Sequence, residues 1–452
     1  MNRRKFLYTT AATAAAGLVP NVIPQLAGQT TPKPDYTLRI APLKLELAPG
    51  TVVETIAYNG TVPGPLLRLQ QGKETRIRVI NETGTPELAH WHGLGTDSIN
   101  DGAMEQGSPM IPPHGEQLYT LTPGLTGSRW YHTHTSAEKN LAAATYTGQF
   151  GFLYVEPKLD AGAYDHEVFL AVHHWGPSLM PMGPPVNSME VGYKYAAFNG
   201  RLFSASEPLR VKKGDRVLFH LLNASATQDV ALALPGHKFR VVALDGNAVP
   251  NPREVSTISL SVAERVDAIV QMDTPGVWML GALDEGQRKM GLGLKIEYAG
   301  SKGPALWKSP EKEDWAYTLF GKASAPVFPA RRFPMVFEKQ TGAAADGLDL
   351  WTINGKGFRD LAPLQVQNGK RYRLVFTNTT GEAHPVHLHR HSFELINVAG
   401  TATAGVIKDT VNVPAYAKVE VDFVANNPGK TLFHCHQQLH MDYGFMQLIE
   451  YI

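Results

Sequence analysis

The chain has 452 residues, and its 42 lysines and arginines nearly balance 41 aspartates and glutamates, which gives a formal net charge of +1. This balance argues against an electrostatic hold on anionic lipid or nucleic acid, and we expect no nucleic-acid partner. The length allows two or three domains with large cores. With 42 glycines, 32 prolines and many stretches rich in Val, Thr and Tyr, the composition favours short strands and turns, and we predict an all-β fold.

The N-terminus has the pattern of a twin-arginine export signal. The pair Arg3-Arg4 precedes a mildly apolar run over residues 8–22, and we assign residues 1–29 to the signal. An amphipathic first helix with two chance arginines is the alternative, but the run is short and is broken by proline. We expect no membrane span elsewhere. The predicted location is therefore periplasmic or secreted.

Three segments of the chain share one order of turn, strand, turn and strand. In each, an Asn-Gly pair is followed by Pro-Leu, then by a further glycine and a final asparagine. The segments are 59–81, 199–223 and 354–378. They predict three similar β domains at 30–157, 158–300 and 334–452. Residues 301–333, rich in Lys, Pro and Ala, are the predicted linker between the second and third domains.

Histidine pairs fall at matching positions of the first and third domains. The first pair of each domain stands nine and eleven residues after the final asparagine of the repeat, Asn81 or Asn378. The second pair stands five and seven residues after a glycine, Gly127 or Gly429. The four pairs are His90 with His92, His132 with His134, His387 with His389, and His434 with His436.

Side chains two residues apart on a strand point to the same face, so each pair presents two imidazoles side by side. Eight imidazoles divided between two domains are too many for one metal ion, and they predict a small metal cluster where the first and third domains meet. A single His-x-His pair is often an ordinary surface pair. Four pairs at repeat-matched positions are not explained by chance.

The one cysteine, Cys435, lies between His434 and His436, so it faces away from the site that they serve. His384 has the opposite parity to His387 and His389, so it faces away from their site and joins Cys435, and His440 follows beyond the strand end. Together they form a His-Cys-His set, which is the ligand combination of a blue-copper electron-transfer centre.

The other two domains lack this set. In the first domain Thr133 takes the place of Cys435, and Glu87 takes the place of His384. The middle domain has leucine or glycine at all four histidine offsets. These residues are Leu232, Leu234, Gly281 and Leu283. We therefore expect no copper in the middle domain, which is predicted to act as a spacer or wall.

At this point the chain resembles the multicopper oxidases, and among them the three-domain, bacterial laccase-like members rather than the two-domain nitrite reductases. The four motifs that carry the resemblance are His90-Trp91-His92-Gly93, Trp130-Tyr131-His132-Thr133-His134, His384-Pro385-Val386-His387-Leu388-His389, and His434-Cys435-His436 with His440. The resemblance covers the mature chain. It implies three consecutive cupredoxin-like Greek-key domains, each a β-sandwich or barrel.

The resemblance also implies about four copper ions per chain. Type 1 copper would be held by His384, Cys435 and His440. Type 2 copper would be held by His90 and His387. The type 3 pair would be held by His92, His132, His134, His389, His434 and His436. Substrate electrons would enter at His440 and pass from Cys435 through His434 and His436 to the cluster, where dioxygen becomes water.

Three aspartates are candidates for supporting roles. The family places a carboxylate that assists proton delivery at the position of Asp101, although a plain turn aspartate before Gly102 is the alternative. Asp409 also matches a recurrent family segment, and a structural turn is an equal alternative. We expect Asp267 to be architectural.

Two positions depart from many bacterial members of the family. Phe445 stands where an axial methionine is common, with Met446 just beyond it. A non-coordinating axial residue predicts a type 1 site of high potential. Met441 replaces an acid that several bacterial relatives carry, and Asp442 is a candidate substitute.

Substrate choice is less constrained by the sequence. Our first interpretation is a laccase-type oxidase of phenols or aromatic amines that uses dioxygen and acts as a monomer. The alternative is a metallo-oxidase for Cu(I) or Fe(II), suggested by Met180, Met182 and Met189, because thioethers suit Cu(I). A non-catalytic exported structural protein is disfavoured because all the ligand residues are retained.

Overall fold

The computed structural model describes residues 33–157, 164–184, 188–310, 315–323 and 327–452. The predicted export signal lies outside these residues. Within them strands dominate, and each of the two α-helices has five residues, so the all-β prediction is confirmed. No helix of the described ranges is long and apolar enough to cross a membrane.

The first domain contains two four-stranded sheets. Its strands are β1 (Tyr36–Ala48), β2 (Thr51–Tyr58), β3 (Gly64–Gln70), β4 (Thr75–Asn81), β5 (His90–His92), β6 (Glu116–Leu121), β7 (Gly127–His132) and β8 (Phe150–Glu156). The strand orders are β2-β1-β4-β6 and β3-β8-β7-β5. Buried side chains of both sheets, such as Ile77 on β4 and Leu153 on β8, form one hydrophobic cluster, which makes the domain a sandwich.

The middle domain is built in the same way from larger sheets. Its elements are β9 (His166–Trp175), β10 (Ser178–Pro181), β11 (Met189–Gly192), β12 (Tyr195–Phe198), β13 (Leu209–Val211), β14 (Arg216–Asn223), β15 (Val230–Ala233), β16 (Phe239–Leu244), β17 (Asn247–Val255), β18 (Thr257–Leu260), β19 (Arg265–Gln271), β20 (Val277–Ala282), α1 (Glu285–Lys289) and β21 (Gly293–Tyr298). The sheets run β12-β9-β14-β19-β16-β17 and β13-β21-β20-β15-β18, and β10 pairs with β11. Leu232 and Leu234 lie in its hydrophobic core.

The third domain begins at Arg331, inside the predicted linker. Its elements are β22 (Arg331–Gln340), β23 (Leu350–Ile353), β24 (Leu364–Val366), β25 (Arg371–Asn378), β26 (His384–Leu388), β27 (Phe393–Val398), β28 (Thr401–Ala402), β29 (Ile407–Lys408), β30 (Thr410–Val413), β31 (Lys418–Val424), β32 (Thr431–Cys435), α2 (Gln438–Asp442) and β33 (Met446–Tyr451). One sheet runs β23-β22-β25-β31-β27-β28, with β29 on β27, and the other runs β24-β33-β32-β26-β30.

The repeated asparagines hold the loops that lead to the first histidine pair of the first and of the third domain. Asn81 ends β4, is buried, and donates from Nδ2 to the carbonyl of Thr85 at 2.8 Å. Asn378 ends β25 and donates in the same way to the carbonyl of Glu382 at 2.6 Å. Each bond ties the strand end to the loop that leads to the next histidine pair. A buried amide that satisfies loop carbonyls therefore holds the start of this loop against the end of its strand.

A buried ionic cluster fastens the first domain to the middle domain. His220 on β14 contacts Asp267 Oδ1 at 2.9 Å through Nδ1 and Glu167 Oε1 at 3.3 Å through Nε2. Ser128 of the first domain donates to the same Asp267 oxygen at 2.7 Å, and Arg68 pairs with Glu167. Burial opposes the charge on His220, but the two carboxylates raise its pKa to about 9.

This cluster predicts a pH-dependent stability. Because the pKa of His220 is raised above its unfolded value near 6.5, its contribution is complete below that pH and is lost as the pH rises towards 9. This shift in pKa corresponds to a contribution of at most about 3 kcal/mol to the free energy of unfolding. Thermal unfolding of the wild type should therefore lose stability across this window, and His220→Gln should flatten that loss. His166→Gln is the control, because His166 pairs with Asp215 at the surface. An unchanged slope in His220→Gln would contradict the assignment.

Candidate metal centres

Eight histidines meet where the first and third domains touch. They lie on or directly after β5, β7, β26 and β32, and all are buried. Antiparallel pairing sets His90 opposite His132 in the first domain and His387 opposite His434 in the third. Across the domain contact, the ring of His90 stacks on that of His389 with centroids 4.0 Å apart. The predicted four pairs thus form one cluster.

In most rings of the cluster, one nitrogen forms a hydrogen bond with the protein and the other has no hydrogen-bond partner among the described residues. The Nδ1 atoms of His90, His132 and His387 contact the carbonyls of Asp101, Thr133 and Asp409 at 2.7, 2.7 and 2.8 Å. A carbonyl only accepts, so Nδ1 carries the proton in all three rings. Of the residues that the structure describes, none is a hydrogen-bond partner of their buried Nε2 atoms. The candidate ligand atoms lie within 4.8 Å of one another in two groups, His90 with His92 and His132, and His90 with His387 and His389.

His92 is oriented the other way round. Its Nε2 lies 3.0 Å from Asp409 Oδ1 and 3.0 Å from Thr410 Oγ1, and its buried Nδ1 has no hydrogen-bond partner within the described part of the chain. The ring stacks on His387 at 3.7 Å between centroids. His92 therefore presents Nδ1 as its free nitrogen.

The six remaining rings of the cluster, other than His90 and His387, divide into two triads. In His134, His389 and His434 the candidate ligand atoms lie within 4.8 Å of one another. In His92, His132 and His436 the ring centroids lie 5.0 to 5.6 Å apart. Two triads flanked by a further pair of imidazoles provide places for three metal ions.

The donor set fits copper. Burial lowers the pKa of His134 and His387 to about 3, so these imidazoles are neutral, as metal ligands must be. His389 Nε2 and His434 Nε2 lie 3.0 Å apart with no donor proton between them, because the two rings donate from Nδ1 to Asp101 Oδ2 and to the Cys435 carbonyl. A shared cation relieves this contact between two lone pairs. Imidazole-rich sites suit copper among the first-row metals.

A second centre lies on the other face of β32. Cys435 Sγ is 3.8 Å from His384 Nδ1 and 3.6 Å from His440 Nδ1, and the two nitrogens are 3.2 Å apart. All three residues are fully buried. Burial raises the pKa of the Cys435 thiol, so a bound metal ion is needed to keep it as a thiolate. One strand thus serves both centres from its two faces.

Three residues around this second centre were not found from the sequence. His384 Nε2 contacts Thr380 Oγ1 at 2.8 Å. His440 Nε2 lies 3.2 Å from Glu382 Oε2 and 3.6 Å from Glu190 Oε1. Glu382 precedes His384 by two residues, but Glu190 comes from the hairpin β10–β11 of the middle domain. No local spacing signals a contact made over such a distance along the chain.

The equivalent place in the first domain is filled by hydrogen bonds. Thr133 Oγ1 donates to Glu87 Oε2 at 3.2 Å, and Gln149 Nε2 donates to the same oxygen at 2.9 Å. Burial raises the pKa of Glu87. The two residues that replace Cys435 and His384 are therefore paired with each other and with Gln149.

Asp101 contacts the cluster directly. Its Oδ2 lies 2.7 Å from His389 Nδ1, its backbone carbonyl receives the bond from His90 Nδ1, and Gln106 Nε2 donates to Oδ2 at 2.5 Å. Asp101 is fully buried, and its Oδ1 has no hydrogen-bond partner in the ranges that the structure describes. These contacts go beyond a plain turn aspartate, and Gln106 was not found from the sequence.

Asp409 also contacts the cluster, through His92 and His387. Burial would raise its pKa, but Arg265 of the middle domain holds the pKa of this carboxyl group well below its usual range. Arg265 forms a two-pronged ion pair with Asp409 at 2.7 and 2.5 Å. The motif that contains Arg265 drew attention only to Asp267, which instead contacts His220 and Ser128 at the junction of the first and middle domains.

The two departures from the family pattern have clear positions. Phe445 is fully buried beside His384, with ring centroids 4.9 Å apart. Met446 and Met441 pack in a separate hydrophobic cluster with Leu432. Of these three side chains, Phe445 is therefore the one that lies beside the Cys435 centre.

Asp442 is held by backbone and amide donors. Its Oδ2 accepts from the amides of Ala137 and Glu138 at 2.9 and 2.8 Å, and Gln438 Nε2 donates to Oδ1 at 2.9 Å. Gln438 also lines a small cavity beside the cluster histidines. Asp442 is thus connected to the cavity beside the cluster through its hydrogen bond with Gln438.

Comparison with known proteins agrees with this geometry. Three family models, each described as multicopper oxidase, match residues 40–160, 178–296 and 333–451. The multicopper oxidase MmcO of Mycobacterium tuberculosis is 30% identical over 92% of this chain and 86% of its own. Laccase-2 of Trametes versicolor is 24% identical over 88% of this chain and 86% of its own.

Among solved structures, a multicopper oxidase from Pseudomonas thermotolerans is 26% identical, with a TM-score of 0.74 over 92% of this chain and 98% of its own. The chain belongs to the multicopper oxidase family. It is therefore a copper protein of three cupredoxin-like domains, and its family couples oxidation of a reducing substrate to dioxygen.

Replacing Cys435 separates the two centres experimentally. In Cys435→Ser the soft thiolate is lost, so the blue colour and substrate oxidation should disappear. The histidine cluster on the other face of β32 should still bind copper. Visible absorption and copper analysis measure both effects. Retention of the blue absorption would show that Cys435 is not a ligand of the electron-entry copper.

Phe445 predicts a high redox potential. Phe445→Met would place a thioether beside the Cys435 centre, and we expect the potential of the blue copper to fall. Redox titration of the blue absorption gives the potential, and Met446→Leu is the matched control because Met446 packs elsewhere. An unchanged potential in Phe445→Met would show that this side chain does not set it.

Proposed function

We propose that this protein is an oxidase that takes electrons from a reduced metal ion, Cu(I) or Fe(II), and passes them to dioxygen, which becomes water. In this proposal His384, Cys435 and His440 hold type 1 copper, and His90 and His387 hold type 2 copper. The type 3 pair is held by His92, His132, His134, His389, His434 and His436. Copper in these sites would supply the one-electron chemistry and the binding of dioxygen.

The chain itself supplies the connection between the centres. Cys435 and its neighbours His434 and His436 share one backbone segment, so few covalent bonds separate electron entry from the cluster. The Asp101 side chain contacts His389, and its backbone carbonyl accepts from His90. This carboxylate is therefore placed to pass protons to the site where dioxygen would be reduced. The burial of all these groups keeps bulk water away from both centres.

The observation that carries the choice of substrate is the pair of carboxylates at His440. His440 is fully buried, so a substrate in solvent cannot touch its ring. Glu190 and Glu382 stand against its Nε2 and are slightly exposed, with 16% and 8% of their side chains accessible. A cation bound to these carboxylates would be one contact from His440.

The cavity outside the carboxylates suits a soft cation. It has a volume of about 400 Å³, and its walls include Glu190, Glu382, Met180 and Met182. The two methionines are exposed hydrophobic side chains, which is unusual for residues that only fill a core. Thioethers favour Cu(I), and carboxylates favour harder ions such as Fe(II). The hypothesis raised by the methionines in the sequence therefore gains support.

A phenol or aromatic amine is the second candidate. The same cavity can admit a small ring beside Tyr193, and Glu190 or Glu382 could accept the phenolic proton. This remains the laccase-type alternative. We also propose that the protein works in the periplasm or outside the cell, in keeping with the pattern of residues 1–29.

The two candidates are separated by competition and by paired variants. Copper-loaded enzyme should oxidise Cu(I) or Fe(II) with saturation and in preference to phenols, as measured by oxygen uptake. Met180→Leu combined with Met182→Leu should lower kcat/KM for Cu(I) roughly tenfold, and Glu190→Gln with Glu382→Gln should lower it for both ions.

Met189→Leu is the control, because Met189 lies in the same hairpin but packs on the core. The metal-ion proposal fails if phenols are the faster substrates and the methionine and glutamate variants leave metal-ion oxidation unchanged.

A further inference from the structure

The three domains meet at one turn of the middle domain. Asp245 and Gly246 connect β16 to β17, both with positive φ angles of 46° and 69°. A Cβ at Gly246 would clash with the backbone of Ser128 in the first domain. On the other side, Asp245 Oδ2 accepts from the amides of Asp409 and Thr410 in the third domain at 3.2 and 3.1 Å. The turn is thus hydrogen-bonded to the segment of Asp409 and Thr410, which contacts the cluster.

Arg265 holds the side chain of the same segment, the Asp409 carboxylate. It is fully buried, its amide donates to Asp245 Oδ1 at 3.0 Å, and its guanidinium forms the two-pronged pair with Asp409. A planar guanidinium fixes both the position and the plane of a carboxylate, which a lysine cannot do. Arg265 belongs to the middle domain and Asp409 to the third, so the position of the Asp409 carboxylate depends on how the middle domain packs.

The carboxylate fixed in this way lies against the cluster. Asp409 Oδ1 contacts His92 Nε2 at 3.0 Å and accepts from Thr410 Oγ1 at 3.0 Å, while its backbone carbonyl receives the bond from His387 Nδ1. Gly93 shows how closely the parts fit. A Cβ there would lie 2.7 Å from Asp409 Oδ2 and 2.8 Å from Arg265 Nη2.

We propose that Arg265 of the middle domain is a positioning residue for the copper cluster. By holding the Asp409 carboxylate it orients His92 of the first domain and leaves Nδ1 as the free nitrogen of that ring. It also supports the segment whose backbone carbonyl accepts from His387 of the third domain. The middle domain contributes no ligand in our assignment, yet it sets which nitrogen a ligand from another domain offers. This role rests on the proposed ligand roles of His92 and His387.

The expected size of the effect depends on the contacts that are lost. Loss of a group that orients a metal-binding histidine costs roughly ten- to a hundredfold in metal affinity or activity. Without Arg265, Asp409 can rotate, and the His92 ring loses the acceptor that holds Nε2. The Cys435 centre lies on the other face of β32 and does not share these contacts, so its absorption reports on folding independently.

The test uses the copper-loaded full chain. In Arg265→Met, the near-ultraviolet absorption of the type 3 pair should weaken and the EPR splitting of type 2 copper should change, while the blue absorption stays. Oxygen-dependent turnover should fall roughly tenfold or more, and Arg265→Lys should restore it only in part. In an Asp409→Asn background, Arg265→Met should add little, because the two residues act as one unit.

Arg373→Met is the matched control. Arg373 is also buried and forms a two-pronged pair with Asp422 at 2.6 and 3.1 Å, but both residues lie on the sheet of the third domain that carries none of the cluster histidines. It should leave the cluster spectra unchanged even if the protein becomes less stable.

Two results would overturn the proposal. One is an Arg265→Met enzyme with unchanged cluster spectra and turnover, and the other is loss of the blue absorption together with the cluster signals, which would show a general structural role. If the wild type itself lacks the type 3 absorption, the ligand assignment fails instead, and the two failures are thereby distinguished.

Discussion

The alternation of side chains along a strand is the constraint on which both centres depend. Neighbouring residues on β32 face opposite ways, so Cys435 points to His384 and His440 while His434 and His436 point to the cluster. In the proposed assignment the same backbone segment therefore belongs to two metal centres, and electron transfer between them would need no further connecting group. An insertion of one residue in β32 would turn the residues after it to the opposite face, so Cys435 would no longer point to His384 and His440. Both centres therefore depend on the register of this strand.

The cluster has no ligand set within a single domain. Its imidazoles come equally from the first and third domains, so their mutual distances are set by how domains pack and not by any local turn. Buried hydrogen bonds supply the precision. Asn81 and Asn378 fix each loop to its strand, and the turn at Asp245 joins the third domain to the middle one. The middle domain is thus in direct contact with the segment that supports His92 and His387.

Features that depend on periodicity and spacing can be predicted from the sequence. Strand parity separates Cys435 from the cluster, and the repeat offsets assign Leu232 to a core. The structure adds contacts between residues far apart in the chain, which no periodicity encodes. Glu190 reaches His440 from another domain, and Arg265 reaches Asp409 over 144 positions. The choice of Nδ1 in His92 is likewise a consequence of tertiary packing, since it depends on Asp409.

The central claim is that copper divides between one thiolate centre and one cluster made of imidazoles alone. Anomalous diffraction at the copper edge from crystals of the loaded protein tests it most directly. The account predicts about four copper positions. One should lie beside Cys435 Sγ with His384 and His440, and the others should be enclosed by the eight imidazoles. Copper bound within the middle domain, or a Cys435 site without copper while the cluster is filled, would contradict the account.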